Sequence, residues 1–169
     1  MILIKTKEVT MNFRCIAMDT AVADRFRLSG TDDAGNTIVR WMSDKDTGFF
    51  CRHCLSQPGK GREMLLANYY VEPPKGVYWS PSPIFVHADG EACHRFVREN
   101  EIPEAIRELS LVGIRSYNTD DRMLYDLTDL ASGKDTKARI QKCLADPRTS
   151  YVNIHSSGPG CFLCRVERQ

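Results

Sequence analysis

No stretch of 18 apolar residues occurs in the 169-residue chain, so no segment is long enough to form a membrane-spanning helix. Excess charge is missing too: 23 Lys and Arg stand against 22 Asp and Glu, a formal net charge of +1. That balance excludes recognition of nucleic acid or an anionic membrane by bulk charge. The phosphate-cradling Walker loop, the dinucleotide glycine fingerprint, H-E-x-x-H and G-x-S-x-G are all absent. There is no internal repeat, low-complexity tract or domain linker. The opening Met1–Ile4 is too short for a signal-peptide core and no small-residue cleavage site follows it, so the expected location is the cytoplasm.

What the chain has in quantity is cysteine. Seven occur, at 15, 51, 54, 93, 143, 161 and 164, with four histidines at 53, 87, 94 and 155. An odd number of thiols in a reducing compartment points to burial, metal or chemistry rather than to a disulfide framework. Two C-x-x-C pairs stand out, Cys51–Cys54 and Cys161–Cys164, which on paper make a four-cysteine zinc site.

The 42% of hydrophobic residues suffices for one buried core. Asp19 or Thr20 can cap a helix running to Leu28, and Gly30 can end it. Strands are expected over 37–42, 63–72, 84–88 and 111–118, with Met123–Leu130 as the hairpin partner of the last. Phe49–Leu55 reads as a short strand or a turn. Pro73–Pro83, with four Pro and Trp79, is an ordered loop. A helix follows Pro103, and the clearest one spans Thr136–Ala145, with Ile140, Cys143 and Leu144 on one face and Pro147 beyond its end. Tyr151–His155 and Cys161–Arg168 make a terminal hairpin. The expected structure is α+β, a single domain over 11–169 with a mainly antiparallel sheet, two or three short helices and that C-terminal β-hairpin. Residues 1–10 are an extension or an upstream start.

Strand alternation then tests the zinc pattern. A five-residue turn over 156–160 sets His155 opposite Cys161, Ile154 opposite Phe162 and Val152 opposite Cys164. Val152, Ile154, Phe162, Cys164 and Val166 form a core face; Tyr151, Asn153, His155 and Cys161 form the other. Cys164 is thus a small buried hydrophobe. What survives is Cys51 with His53 or Cys54, plus the His155–Cys161 pair, a mixed nitrogen and sulfur set that suits Zn²⁺. His87 reads either as a hydrogen-bonded strand-end residue or as a further ligand. Of the adjacent Cys93 and His94, at most one can face a shared target. Cys15 and Cys143 are assigned to packing, and Asp32-Asp33 and Asp120-Asp121 to turns.

The segments F-x-C-R-H-C-L (49–55), E-M-L-L (63–66), S-P-I-F-V-H (82–87), the 111–118 strand, A-D-P-R-x-x-Y-V-x-I-H (145–155) and G-C-F-x-x-R-V-E-R (160–168) resemble a bacterial family of unknown function, DUF1203. The resemblance runs from about Met11 to Arg168 and brings no activity with it. It implies a single cytosolic domain starting at Met11. It also implies that Cys161 belongs to the family pattern while the position of Cys164 often carries alanine; where the family has proline before its first cysteine, this chain has Phe50. With the alternation argument it leaves Cys51, Cys54, His155 and Cys161 as the expected metal ligands, with His53 and His87 as further candidates.

Three functions follow as expectations: a Cys/His site holding a metal such as zinc; thiol redox or nucleophilic chemistry at Cys51 or Cys54, helped by Arg52 and His53; or a non-catalytic binding module using the loop around Trp79. The expected partner is a small molecule or a protein, with no nucleic acid and no membrane.

Overall fold

The structure is a computed structural model that describes residues 11–46 and 48–169. The extension or upstream start expected over 1–10 lies outside the described residues. Among the described residues eleven strands and helices follow in order: β1 (Phe13–Ile16), α1 (Thr20–Ser29), β2 (Val39–Met42), β3 (Glu63–Tyr69), β4 (Ser82–His87), α2 (Glu104–Arg107), β5 (Val112–Tyr117), β6 (Asp129–Ala131), α3 (Thr136–Ala145), β7 (Tyr151–Ser156) and β8 (Phe162–Arg168). They build two antiparallel sheets, one of five strands in the order β1-β8-β7-β5-β6 and one of three in the order β2-β3-β4. This is the expected α+β class with its C-terminal hairpin. No helix among the described residues is long and apolar enough to cross a membrane.

Each sheet buries one face against helix. On the larger sheet, inward residues Val112, Ile114, Val152, Ile154, Cys164 and Val166 meet Ile140, Cys143 and Leu144 of α3. The three-and-four spacing in α3 puts those side chains on one stripe. Burying an Ile or Leu side chain contributes about 1.5–3 kcal/mol. Asp135 makes no side-chain cap; the Ser132 hydroxyl one turn earlier accepts the Asp135 N–H instead. The smaller sheet packs Met64, Ile84 and Val86 on Ala23 and Phe26 of α1, which Gly30 ends in the left-handed conformation (φ 69°).

Two local expectations are corrected and one open alternative is resolved. The hairpin carries a bulge between Ile154 and His155, so Ile154 lies opposite Cys164 and His155 opposite Phe162. Leu163 and Cys164 both enter the core, while Phe162 turns to the opposite face, its ring edge-on to His155. Met123–Leu130 is not one strand: Met123 makes an isolated bridge to Tyr117 of β5, a 3-10 turn occupies Tyr125–Leu127, and the strand that pairs with β5 is Asp129–Ala131. Of the two readings of Phe49–Leu55, the structure takes the turn. Cys51 makes a single parallel bridge to Phe85 and the chain then turns.

The second face of the larger sheet is also covered. Asn153 donates from Nδ2 to Pro73 O at 3.3 Å, and Tyr78 of the proline-rich loop packs edge-on against Tyr117. Tyr151 and Asn153, expected on an open face, are 5% and 1% exposed.

Candidate metal centre

Residues 50–55 pass between the two cores. Phe50 and Leu55 are buried in the larger one and Cys51 in the smaller. A chain pinned on both sides cannot stay extended. Cys51 O accepts the Leu55 N–H at 2.9 Å, closing one helix-like turn. Leu55 then takes a left-handed backbone (φ 52°), and Cys51 N–H reaches back to Ser56 O at 3.1 Å. In such a turn residues three apart lie on one side, so Cys51 and Cys54 point together.

His87, the last residue of β4, arrives beside them, and its backbone N–H donates to Cys51 Sγ at 3.4 Å. Beyond it the chain reverses at Asp89-Gly90, where Asp89 Oδ1 accepts the Glu91 and Ala92 N–H groups and Gly90 O accepts Cys93 N–H. That reversal returns Cys93 to the same point. The ligand atoms of Cys51, Cys54, His87 and Cys93 all lie within 4.8 Å of one another. Cys51 and Cys93 Sγ are 3.6 Å apart, and Cys54 Sγ is 3.5 Å from His87 Nδ1.

The surroundings orient these groups. His87 Nε2 lies 2.9 Å from Pro58 O, which can only accept, so Nε2 carries a hydrogen and Nδ1 is the nitrogen turned to the cluster. Ser56 Oγ lies 2.9 Å from Cys54 Sγ, and His53 Nδ1 lies 3.2 Å from Cys93 Sγ with Thr20 Oγ1 at 2.9 Å on its other nitrogen. Burial and then the positive field of Arg27 push the His53 pKa down, so this imidazole stays neutral. Protons are shared unevenly among the four. Hydrogen bonds from Cys51 and Cys93 push Cys54 towards the thiolate, while those to Cys51 and Cys54 hold Cys93 protonated. Burial opposes charge on His87, but the Cys51 and Cys54 sulfurs outweigh it and raise its pKa to about 10.

The residue after Cys51 is a buried cation. Arg52 is 4% exposed, donates to Phe162 O and Phe50 O, and lies over the Phe50 ring. Among the described residues it meets no carboxylate. Burial lowers its pKa to about 10, against the opposing pull of the Cys161 and Cys51 sulfurs.

Of the expected ligands, the structure brings Cys51 and Cys54 together with His87. His53 stands just outside, against Cys93. His155 and Cys161 are not in the group: His155 Nδ1 faces Gly160 O at 3.0 Å, and both residues line a separate cavity on the covered face of the larger sheet. Cys93 is the member of the cluster that sequence reasoning did not select. The usable signal is a His and a Cys flanking an Asp-Gly reversal, which brings the end of a strand and the loop after it to one point. All seven cysteines are free, so Cys51 and Cys54 are not joined by a disulfide.

No curated protein and no solved structure matches the chain. The sequence profile of the family described as protein of unknown function (DUF1203) matches residues 48–168, a span that holds all four clustered residues and every segment from 49 onward that carries the resemblance. The chain belongs to DUF1203.

Proposed function

We propose that Cys51, Cys54, His87 and Cys93 hold one zinc ion in a closed, structural site. The observation that carries this reading is the spacing of the ligand atoms. A tetrahedral zinc with its usual bond lengths sets sulfurs about 3.7 Å apart and sulfur and nitrogen about 3.5 Å apart. The Cys51–Cys93 and Cys54–His87 separations are 3.6 and 3.5 Å. Four protein ligands fill the coordination shell and leave no open position, the mark of a structural rather than a catalytic site.

Charge supports the same reading. A divalent ion with three thiolates leaves one net negative charge, and the Arg52 guanidinium, which meets no carboxylate among the described residues, feels the Cys51 sulfur. The ion would tie together the 51–54 turn, the end of β4 and the following loop, which share little regular hydrogen bonding of their own. Thiolate ligands need a reducing compartment, which favours the cytoplasm. The balanced surface charge favours a small-molecule or protein partner over nucleic acid.

A second reading rests on Cys54, which is only half-buried and borders an open groove of about 800 Å³. Pushed towards the thiolate, it suits redox or nucleophilic chemistry. Cobalt substitution separates the two. Reduced protein titrated with Co²⁺ is expected to bind one equivalent, with the visible bands of a tetrahedral ion and sulfur-to-cobalt charge transfer, and Zn²⁺ is expected to displace it. Six-coordinate cobalt spectra, or rapid alkylation of Cys54 alone in zinc-treated protein, would overturn the structural site.

A further inference from the structure

We propose that the cavity beneath the proline-rich loop binds a small organic acid bearing a hydroxyl or amino group, whose carboxylate pairs with Arg115 and whose donor is accepted by His155 and Asn153. This site does not involve the cysteine–histidine cluster and does not depend on a metal there.

The cavity measures about 210 Å³ and is lined by Arg115, Asn153 and His155 from the sheet, by Cys161 from the turn before β8, and by Tyr78 and Ser80, among others, from the loop. Two acceptors in it are buried and unpaired. Asn153, 1% exposed, spends its Nδ2 on Pro73 O, and its Oδ1 has no partner. His155 Nδ1 faces the Gly160 carbonyl at 3.0 Å; a carbonyl cannot donate, so Nδ1 carries the hydrogen and Nε2 is a bare lone pair, also without a partner. Burial, reinforced by the Arg115 charge, keeps the imidazole neutral by holding its pKa at about 4. Each orphaned acceptor is unfavourable unless a donor reaches it.

Strand pairing fixes the third group. Arg115 lies opposite Asn153 across β5 and β7, and Gly113 lies opposite His155 without adding a side chain between them. Arg115 and His155 are therefore diagonal neighbours, about 7–8 Å apart along the pleat. Among the described residues Arg115 forms no ion pair, although eleven ion pairs occupy other charged side chains.

These features restrict the occupant. One guanidinium calls for an anion. Two lone pairs exclude an anion without hydrogens of its own and demand an N–H or O–H. The volume lies below the roughly 300–1,000 Å³ of sites for drug-sized ligands, so the molecule is small. A short hydroxy or amino carboxylate meets all three conditions.

The test pairs isosteres on the wild-type chain: 3-hydroxybutyrate against 3-methylbutyrate, and 3-aminopropanoate against butyrate. Binding is followed by the imidazole nitrogen resonances of His155 and the side-chain amide of Asn153. A hydroxylated or aminated acid is expected to bind saturably at millimolar concentration and to move His155 Nε2 towards a hydrogen-bonded shift. Its isostere is expected to bind about tenfold more weakly or worse. Arg115→Gln is expected to abolish binding with the remaining backbone spectrum unchanged. No saturable shift with any of the four acids, equal affinity within each pair, or full affinity in a folded Arg115→Gln protein would each overturn the proposal and leave the cavity to water. Should Arg115→Gln not fold, the wild-type isostere comparison decides alone.

Discussion

Around Cys51 the backbone turns, whereas around His155 it runs extended, and the chemistry of the two places differs accordingly. Extended backbone sends neighbouring side chains to opposite faces, so a strand delivers groups to the walls of a cavity: Arg115, Asn153 and His155 surround a volume without meeting. A turn gathers side chains at a point. The reversal over 51–55 and the one at Asp89-Gly90 bring four soft ligands within 4.8 Å. The same residue types, cysteine and histidine, thus suit an ion in one place and an organic molecule in the other. Backbone shape separates the two sites.

The largest effects are expected at the point-like site. Cys51→Ser should cost about 4 kcal/mol or more in zinc-loaded protein, since binding free energy of a structural metal is folding free energy. That is a fall in Tm of roughly 8–16 °C for a chain of this size. Arg52→Met should cost about 2–4 kcal/mol, because two buried carbonyls lose their donor and the centre its counter-charge. In the Cys51→Ser background the Arg52→Met cost should shrink by about 1–2 kcal/mol, because the cation no longer balances a metal–thiolate charge. Urea unfolding of the four proteins measures this coupling, and strict additivity would detach Arg52 from the centre.

A smaller effect is expected from the cavity. His155 titrates at about 4 when folded and near the ordinary 6.5 when unfolded. As pH falls, the unfolded chain takes up the proton first. Stability is therefore complete above about 6.5 and declines down to about 4, by roughly 3 kcal/mol from this residue. Denaturation midpoints measured across that window should fall less steeply in His155→Gln than in wild type; parallel slopes would remove His155 from the buried, neutral role.

How far the chain can be read without a structure follows from the same contrast. Helix α3 was legible because Ile140, Cys143 and Leu144 share a stripe and Pro147 blocks extension, and α1 because Gly30 follows its last turn. Cys164 was legible as a core residue by alternation. Period-two reasoning fails where the period breaks. The bulge at Ile154 and His155 places Leu163 and Cys164 inward together and turns Phe162 out, which no pattern of single residues announces. For the candidate site, the C-x-x-C pair at 51–54 was visible and His87 stood among the candidates. Cys93 was not selected, because its approach depends on a reversal set by Asp89 side-chain hydrogen bonds. His155 and Cys161 stood in the expected set because alternation without a bulge sets them opposite each other on one face; the bulge puts Phe162 opposite His155 instead.

The most direct test of the central claim is the zinc content of three reduced, zinc-exposed proteins by native mass spectrometry: wild type, Cys93→Ser and Cys161→Ser. The account predicts one zinc in wild type and in Cys161→Ser, and none in Cys93→Ser. Zinc retained by Cys93→Ser and lost from Cys161→Ser, or a wild-type protein with no zinc at all, would contradict it.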